Sequence, residues 1–313
     1  MRAALLTTMW RRPKVTDYVL RHYHKMQAEL AADMELILLA VGSEGGVSRE
    51  LAEKNNFKYL EFSNSPLNRK YNAGFLWAKA YHPQMVFFVD SDAVITKEYF
   101  KAMKVKSKSK AVVGLLDYYF LNLRTEQLGY WSGYPKGFRY GDVIGPGRCF
   151  SKRVLDKISW QIQPDVQRTK SGNDWNCRKR LLSFGIKIKG YRMAHIGCFG
   201  MDIKTDDNIY KWDKIKFAKI IDGNEVTKLL GKLGLTDTLN IGVAPRPSKL
   251  AVRPPSKPTR GGRHFRLDIP RQVFYDKGEP MRYEPGEFVL NHMIKKLGIP
   301  DKYFISPKLE KGI

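Results

Sequence analysis

The chain has 313 residues, with 55 Lys or Arg against 31 Asp or Glu, for a formal net charge of +24. That length buries a full core and leaves room for an appendage. Solubility needs a net charge of only about 2–8, so the excess points to a polyanionic partner, either nucleic acid or an anionic membrane surface. No apolar run approaches the ~20 residues of a membrane-spanning helix, and Ala3–Leu6 is too short for a signal-peptide core. Cys149, Cys177 and Cys198 form no CxxC pair, which argues against a disulfide framework or structural zinc and suits a reducing, cytoplasmic setting.

The first half alternates strand and helix signals. Ala3–Met9 is a short apolar strand, Val15–Ala32 carries helical periodicity, and Glu35–Val41 is a second buried strand ending at Gly42-Ser43-Glu44. Ser48–Asn55 reads as a helix, Tyr59–Phe62 as a strand and Asn68–Tyr81 as a helix. Met85-Val86-Phe87-Phe88-Val89 then runs straight into Asp90-Ser91-Asp92. The order predicts an α/β fold with a mostly parallel, Rossmann-like central sheet flanked by helices and joined by right-handed crossovers.

Ala111–Phe120 is a further apolar run, followed by the Gly- and ring-rich stretch Gly129–Pro135 and the tight turn Gly145-Pro146-Gly147-Arg148. Ser151–Ile158 and Asn173–Phe184 read as helices, and Lys187–Met193 as a strand. After Asp222 the character changes. Pro245–Arg266 holds seven Lys or Arg, no acid and five prolines, the composition of an extended arm. Phe288–Leu297 fits one amphipathic helix. We therefore expect a catalytic domain over 1–222, a basic Pro/Gly-rich linker over 223–266 and a small segment with one helix over 267–313. The first 222 residues carry 38 basic and 22 acidic side chains, so the tail is not the sole source of the charge.

The chemistry concentrates where the fourth strand ends. Strands of an open parallel sheet deliver their last residues to the carboxyl edge, where ligands bind. Asp90 and Asp92 there make a hard oxygen site for a divalent ion, Mn²⁺ or Mg²⁺, holding a diphosphate. The plainer alternative is that one aspartate caps the next helix and the other is solvated. Thr7, Thr8 and Arg11 end the first strand, and Ser43 and Glu44 the second. Lys70-Tyr71-Asn72-Ala73-Gly74 brings a cation and a helix start toward the same edge, and Asn173-Asp174-Trp175 and His195-Ile196-Gly197 follow.

In these features the chain resembles the inverting, metal-dependent glycosyltransferases of the GT-A fold over roughly residues 3–200. The strongest elements are Lys70–Gly74 followed at short range by Phe88–Asp92. The resemblance implies that Asp92 binds the metal and Asp90 the metal or the donor ribose, with Ser91 between them. It implies that Lys70 and Asn72 touch a nucleotide-sugar donor, a UDP-sugar being expected, with Thr7, Thr8, Arg11 and Glu44 beside it. Asp174 falls in the place of the family's catalytic base, and His195 in that of a third metal ligand. The base motif here is Asn-Asp, so one carboxylate carries that assignment, and Leu116–Ile144 has no counterpart in the family pattern. Tyr130, Trp131, Gly145, Gly147 and Arg148 are the expected acceptor contacts, since rings can stack on a sugar or a base.

The charge favours DNA as acceptor, for instance DNA bearing hydroxymethylated bases, as for the DNA glucosyltransferases of bacteriophages. A glycosyltransferase acting on a surface glycan or lipid, and a non-catalytic nucleic-acid binding protein, are the competing readings.

Overall fold

The computed structural model describes residues 1–107, 111–135, 137, 139–165, 172–208 and 211–241, together with two strands, Val273–Asp276 and Glu279–Arg282. It divides into two compact units, Met1–Gly242 and Val243–Ile313. In the first, β1 (Arg2–Thr8), α1 (Pro13–Leu30), β2 (Glu35–Gly42), α2 (Gly46–Lys54), β3 (Lys58–Glu61), α3 (Leu67–Ala78) and β4 (Met85–Asp90) alternate as the periodicity predicts. Then come β5 (Ala93–Ile95), α4 (Lys97–Lys106), β6 (Ala111–Leu115), β7 (Tyr118–Asn122), β8 (Gln127–Trp131), β9 (Arg148–Ser151) and α5 (Lys152–Lys157). The unit ends with α6 (Asn173–Ser183), β10 (Lys187–Tyr191), α7 (Met193–Ile196), β11 (Gly200–Lys204), β12 (Lys219–Ile221) and α8 (Gly223–Lys232).

Seven strands form the main sheet in the order β10-β6-β9-β4-β1-β2-β3. β1 pairs in parallel with β2 and β4, β2 with β3, and β6 with β10, while β9 runs antiparallel to β4 and β6. Ala3–Leu6 of β1 and Met85–Val89 of β4 are buried along their whole length, as strands covered on both faces are. The α/β architecture with a mostly parallel sheet is therefore as expected.

A second, mixed sheet of five strands, β12-β8-β7-β11-β5, was not expected. It recruits half of what reads in sequence as a single apolar run. Ala111–Phe120 breaks at Leu116-Asp117, sending β6 into the first sheet and β7 into the second. The break is made by Asp117, which is buried and accepts hydrogen bonds from the Met193 N–H at 2.8 Å and the Tyr130 hydroxyl at 2.7 Å. The same bond ends β10 at Tyr191, two residues before the expected limit, because it holds Met193 at the start of α7.

The chain leaves the first sheet at the end of β4 and enters the second at β5. The turn between them is Ser91-Asp92, so the junction of the two sheets is also the place where the carboxylates sit. The first unit continues past residue 222 through α8, whose Val226 and Leu230 are buried, and on to 241. All three cysteines are free thiols. No helix among the described residues is long and apolar enough to cross a membrane. In the second unit Val273–Asp276 and Glu279–Arg282 pair as an antiparallel hairpin. The expected arm, 245–266, and the expected helix, 288–297, lie outside the described residues.

Candidate active site

Strand register brings the expected residues to one edge. Thr8 pairs with Asp90 on one side and Val41 on the other, and the Met9 N–H donates to the Val41 carbonyl at 2.8 Å. Beyond them the chain makes an abrupt turn. Arg11 and Arg12 are consecutive non-glycine residues at φ 58° and φ 54°, a sparsely populated conformation that the surrounding fold has to hold in place. Glu44 accepts the Arg11 N–H at 2.6 Å and so fastens this turn, while the Arg11 guanidinium lies 4.2 Å from the Trp10 ring centre. Thr7 and Ser91 are buried, and each hydroxyl lacks a hydrogen-bond partner.

The turn delivers Arg12 to Asp92. Its Nη1 donates to Asp92 Oδ2, and Asn208 Nδ2 donates to the same oxygen at 2.6 Å. From the second sheet, β11 brings Asp202 alongside. Asp202 pairs with Ala93 in the strand register, and the Ile203 N–H donates to the Asp92 carbonyl at 2.7 Å. Lys204 Nζ lies 2.8 Å from Asp202 Oδ2, while the buried Asp202 Oδ1 has no hydrogen-bond partner.

Asp174, in the first turn of α6, is held by Arg148, whose Nη1 lies 3.3 Å from Oδ1 and whose Nη2 donates to the Val143 carbonyl at 3.2 Å. It rests directly on Gly145, where a Cβ would come within 2.8 Å of Oδ1. Gly147, at φ 81°, donates its N–H to the Phe88 carbonyl at 2.7 Å and locks this loop to β4.

Four aspartates thus share one field with three cations. Arg12, Lys204 and Arg148 each pair with one carboxylate, and among the described residues no cation pairs with Asp90. Burial, then the charges of Asp92, Asp174 and Asp202, push the Asp90 carboxyl up to about 8. Burial and Asp92 raise Asp202 to about 6, with Lys204 opposing. Burial acts in the same direction on Asp92, but Arg12 and Lys204 overcome it and hold that carboxyl below its ordinary value. Arg12 and Arg148 are held above the ordinary arginine value, because their aspartates outweigh the burial that opposes them.

Several expectations change. His195 does not join the aspartates. It is exposed on α7, which packs against α4. Among the described residues no group of three or more His, Cys, Asp or Glu closes into a metal cluster. Asp90, Asp92 and Asp202, whose Oδ1 has no hydrogen-bond partner, supply hard oxygens of the kind a divalent ion takes, with Arg12 and Asn208 standing on Asp92 Oδ2.

The Lys70 side chain is turned inward. It is fully buried, and its Nζ donates to the Met9 carbonyl at 2.6 Å, Ser43 Oγ at 3.0 Å and Asn64 Oδ1 at 3.1 Å. It ties together the chain following β1, β2 and β3. Asn72 is likewise buried, and both ends of its amide bond the backbone of Gln163 at 2.9 and 3.0 Å.

Of the expected acceptor contacts, Gly145, Gly147 and Arg148 lie beneath or against Asp174 and its loop rather than facing outward. Trp131 packs edge-on against Phe120 and Tyr134. Tyr130 faces a cavity of about 410 Å³ on the second sheet, with Tyr119, Lys219, Lys228 and Lys232, while its hydroxyl is spent on Asp117. Tyr134, whose hydroxyl feels the charge of Asp174, stacks under Arg139 at 3.6 Å. Arg12, Asp202, Lys204 and Asn208 belong to the site and were not picked out in sequence.

No protein-family model and no curated protein matches the chain. Among solved structures it is similar to residues 1–349 of S. aureus TarS, at TM-score 0.41 and 14% identity over 66% of this chain and 59% of that one. A Drosophila β-1,4-galactosyltransferase 7 mutant in complex with manganese, UDP-Gal and xylobiose gives TM-score 0.40 and 12% identity, over 72% of this chain and 79% of that one. A cytidylyltransferase from Leptospira borgpetersenii gives TM-score 0.39 and 13% identity, over 78% of this chain and 88% of that one. The chain spans less than two thirds of the TarS structures it matches, 59% of the 1–349 form and 36% of a longer one.

Proposed function

We propose that the chain is a metal-dependent, inverting glycosyltransferase of the GT-A type that moves a sugar from a nucleotide-sugar donor, a UDP-sugar, to a hydroxyl. The observation that carries this reading is the convergence of Asp90, Asp92, Asp174 and Asp202 at the junction of the two sheets, at the carboxyl edge where ligands of open α/β sheets bind. Asp92, Asp90 and Asp202 would hold Mn²⁺ or Mg²⁺. A bound divalent ion there supplies neutralisation of charge on the departing diphosphate.

Asp174 is the group that takes the proton. As the acceptor oxygen bonds to the anomeric carbon, the bond from that carbon to the diphosphate oxygen breaks, and the hydroxyl proton passes to Asp174. Arg148 and Gly145 fix the carboxylate, Arg148 by its ion pair and Gly145 by leaving the space that it occupies. One base with no second nucleophile makes this a direct displacement with inversion.

The net charge of +24 supports a polyanionic acceptor, and DNA carrying hydroxymethylated bases supplies both the phosphates and the hydroxyl. Three free thiols suit a reducing, cytoplasmic setting. The test is turnover of a panel of nucleotide sugars with Mn²⁺, with hydroxymethylated DNA, unmodified DNA or no acceptor. Transfer confined to hydroxymethylated DNA is the expected result, with Asp174→Asn reducing it about 10²- to 10⁴-fold while donor binding persists. No turnover of any donor overturns the reading, and transfer to a glycan or lipid instead overturns the acceptor.

A further inference from the structure

A turn of sparsely populated backbone conformation lies where the site needs a cation. Two adjacent arginines adopt left-handed φ, and nothing in their own side chains favours it. What the turn achieves is to bury the Arg12 guanidinium on Asp92, with Asn208 donating to the same carboxylate oxygen. The field of Arg12 also reaches Asp202 and Asp90. Asp92 is therefore already neutralised and hydrogen-bonded before any ligand arrives.

A divalent ion arriving on Asp92 would meet this guanidinium at close range, and two cations on one buried carboxylate repel strongly. Arg148 and Lys204 are each engaged with a different aspartate, so neither competes for that position. The anion that a metal brings with it in this reaction class is the donor's diphosphate. Arginine forks bind phosphate oxygens as readily as carboxylates.

We infer that Arg12 is a placeholder cation: it occupies Asp92 in the absence of donor, and it moves onto the donor's diphosphate when a divalent ion takes its place. Metal and donor then bind as a coupled pair, each raising the affinity for the other by the same factor. The turn is anchored at Arg11 by Glu44 and at Arg12 by Asp92, so an exchange at Asp92 frees the Arg12 side chain while Glu44 still holds the backbone. This inference rests on the metal-dependent donor reading above.

The experiment is Mn²⁺ binding followed by the free-ion paramagnetic resonance signal, without nucleotide and with UDP. It compares the unaltered chain with Arg12→Gly, Arg12→Lys and Asp92→Asn, and circular dichroism checks the fold of each. Glycine suits φ 54°, so Arg12→Gly removes the guanidinium without imposing new strain. The unaltered chain should bind Mn²⁺ weakly alone and roughly ten-fold or more tightly with UDP.

Arg12→Gly should bind Mn²⁺ alone roughly ten-fold more tightly than the unaltered chain, show a smaller gain from UDP, and lose UDP affinity at saturating Mn²⁺. Arg12→Lys keeps the charge and should keep the weak Mn²⁺ binding, while Asp92→Asn should abolish it. If Arg12→Gly binds Mn²⁺ alone no more tightly, while UDP and Mn²⁺ still bind together, the placeholder role is refuted and the donor site stands. If no form binds Mn²⁺ or UDP, the donor reading fails and the inference falls with it.

Discussion

Lys70 offers a test of the site's architecture that does not depend on knowing the substrate. Its ammonium is fully buried and donates to the Met9 carbonyl, Ser43 Oγ and Asn64 Oδ1, one acceptor from the chain following each of β1, β2 and β3. Burial pushes its pKa down to about 7, with Glu61 and Glu44 opposing. An unfolded lysine titrates at about 10.4. Between those values the unfolded chain holds a proton that the folded chain has released, so stability rises with pH across the window.

From pH 7 to pH 9 the rise from this one group is about 2 kcal/mol. Lys70→Met removes the titration. It also orphans the buried Met9 carbonyl, at about 1–3 kcal/mol, whereas half-buried Ser43 and Asn64 can turn to water. Urea unfolding of both forms at pH 7 and pH 9 is the assay. The variant should be less stable by about 1–3 kcal/mol at pH 9, and the gap should narrow by about 2 kcal/mol at pH 7. A gap of the same size at both pH values would refute the reasoning, because Lys70 would then keep its proton throughout.

Further outcomes follow from the same geometry. Gly145→Ala places a methyl 2.8 Å from Asp174 Oδ1 at a backbone conformation that alanine tolerates. Turnover should fall about 10²-fold with little change in the urea midpoint, and a fully active variant would remove Asp174 from the base role. Asp117→Ala strips the acceptor from the Met193 N–H and the Tyr130 hydroxyl. Thermal unfolding should show a loss of about 2–4 kcal/mol, and an unchanged transition would mean that Asp117 does not organise the second sheet. DNA affinity should drop about 10³-fold or more between 50 and 200 mM salt if several phosphates are neutralised. A flat salt response excludes DNA as the polyanion.

What could be read along the chain is what short-range pattern determines. Alternating apolar strands and amphipathic helices specified the parallel sheet. Because a buried strand must surface at its carboxyl end, Asp90 and Asp92 could be placed at the carboxyl edge of the sheet from the sequence. Asp174, at a helix start, was legible for the same local reason. The second sheet was hidden, because Ala111–Phe120 carries one unbroken apolar signal and only the tertiary bonds of Asp117 divide it.

Charge pairing was hidden as well. Arg12 and Asp92 are 80 residues apart, and Asn208 and Asp92 116 apart. Whether a lysine at a helix start faces a ligand or disappears beneath the edge, as Lys70 does, leaves no periodic trace. Local patterning decides which elements form, because it acts over a few residues. Which buried charge meets which is decided by the cost of an unpaired ion in a low-dielectric interior, and only the packed tertiary structure settles that cost.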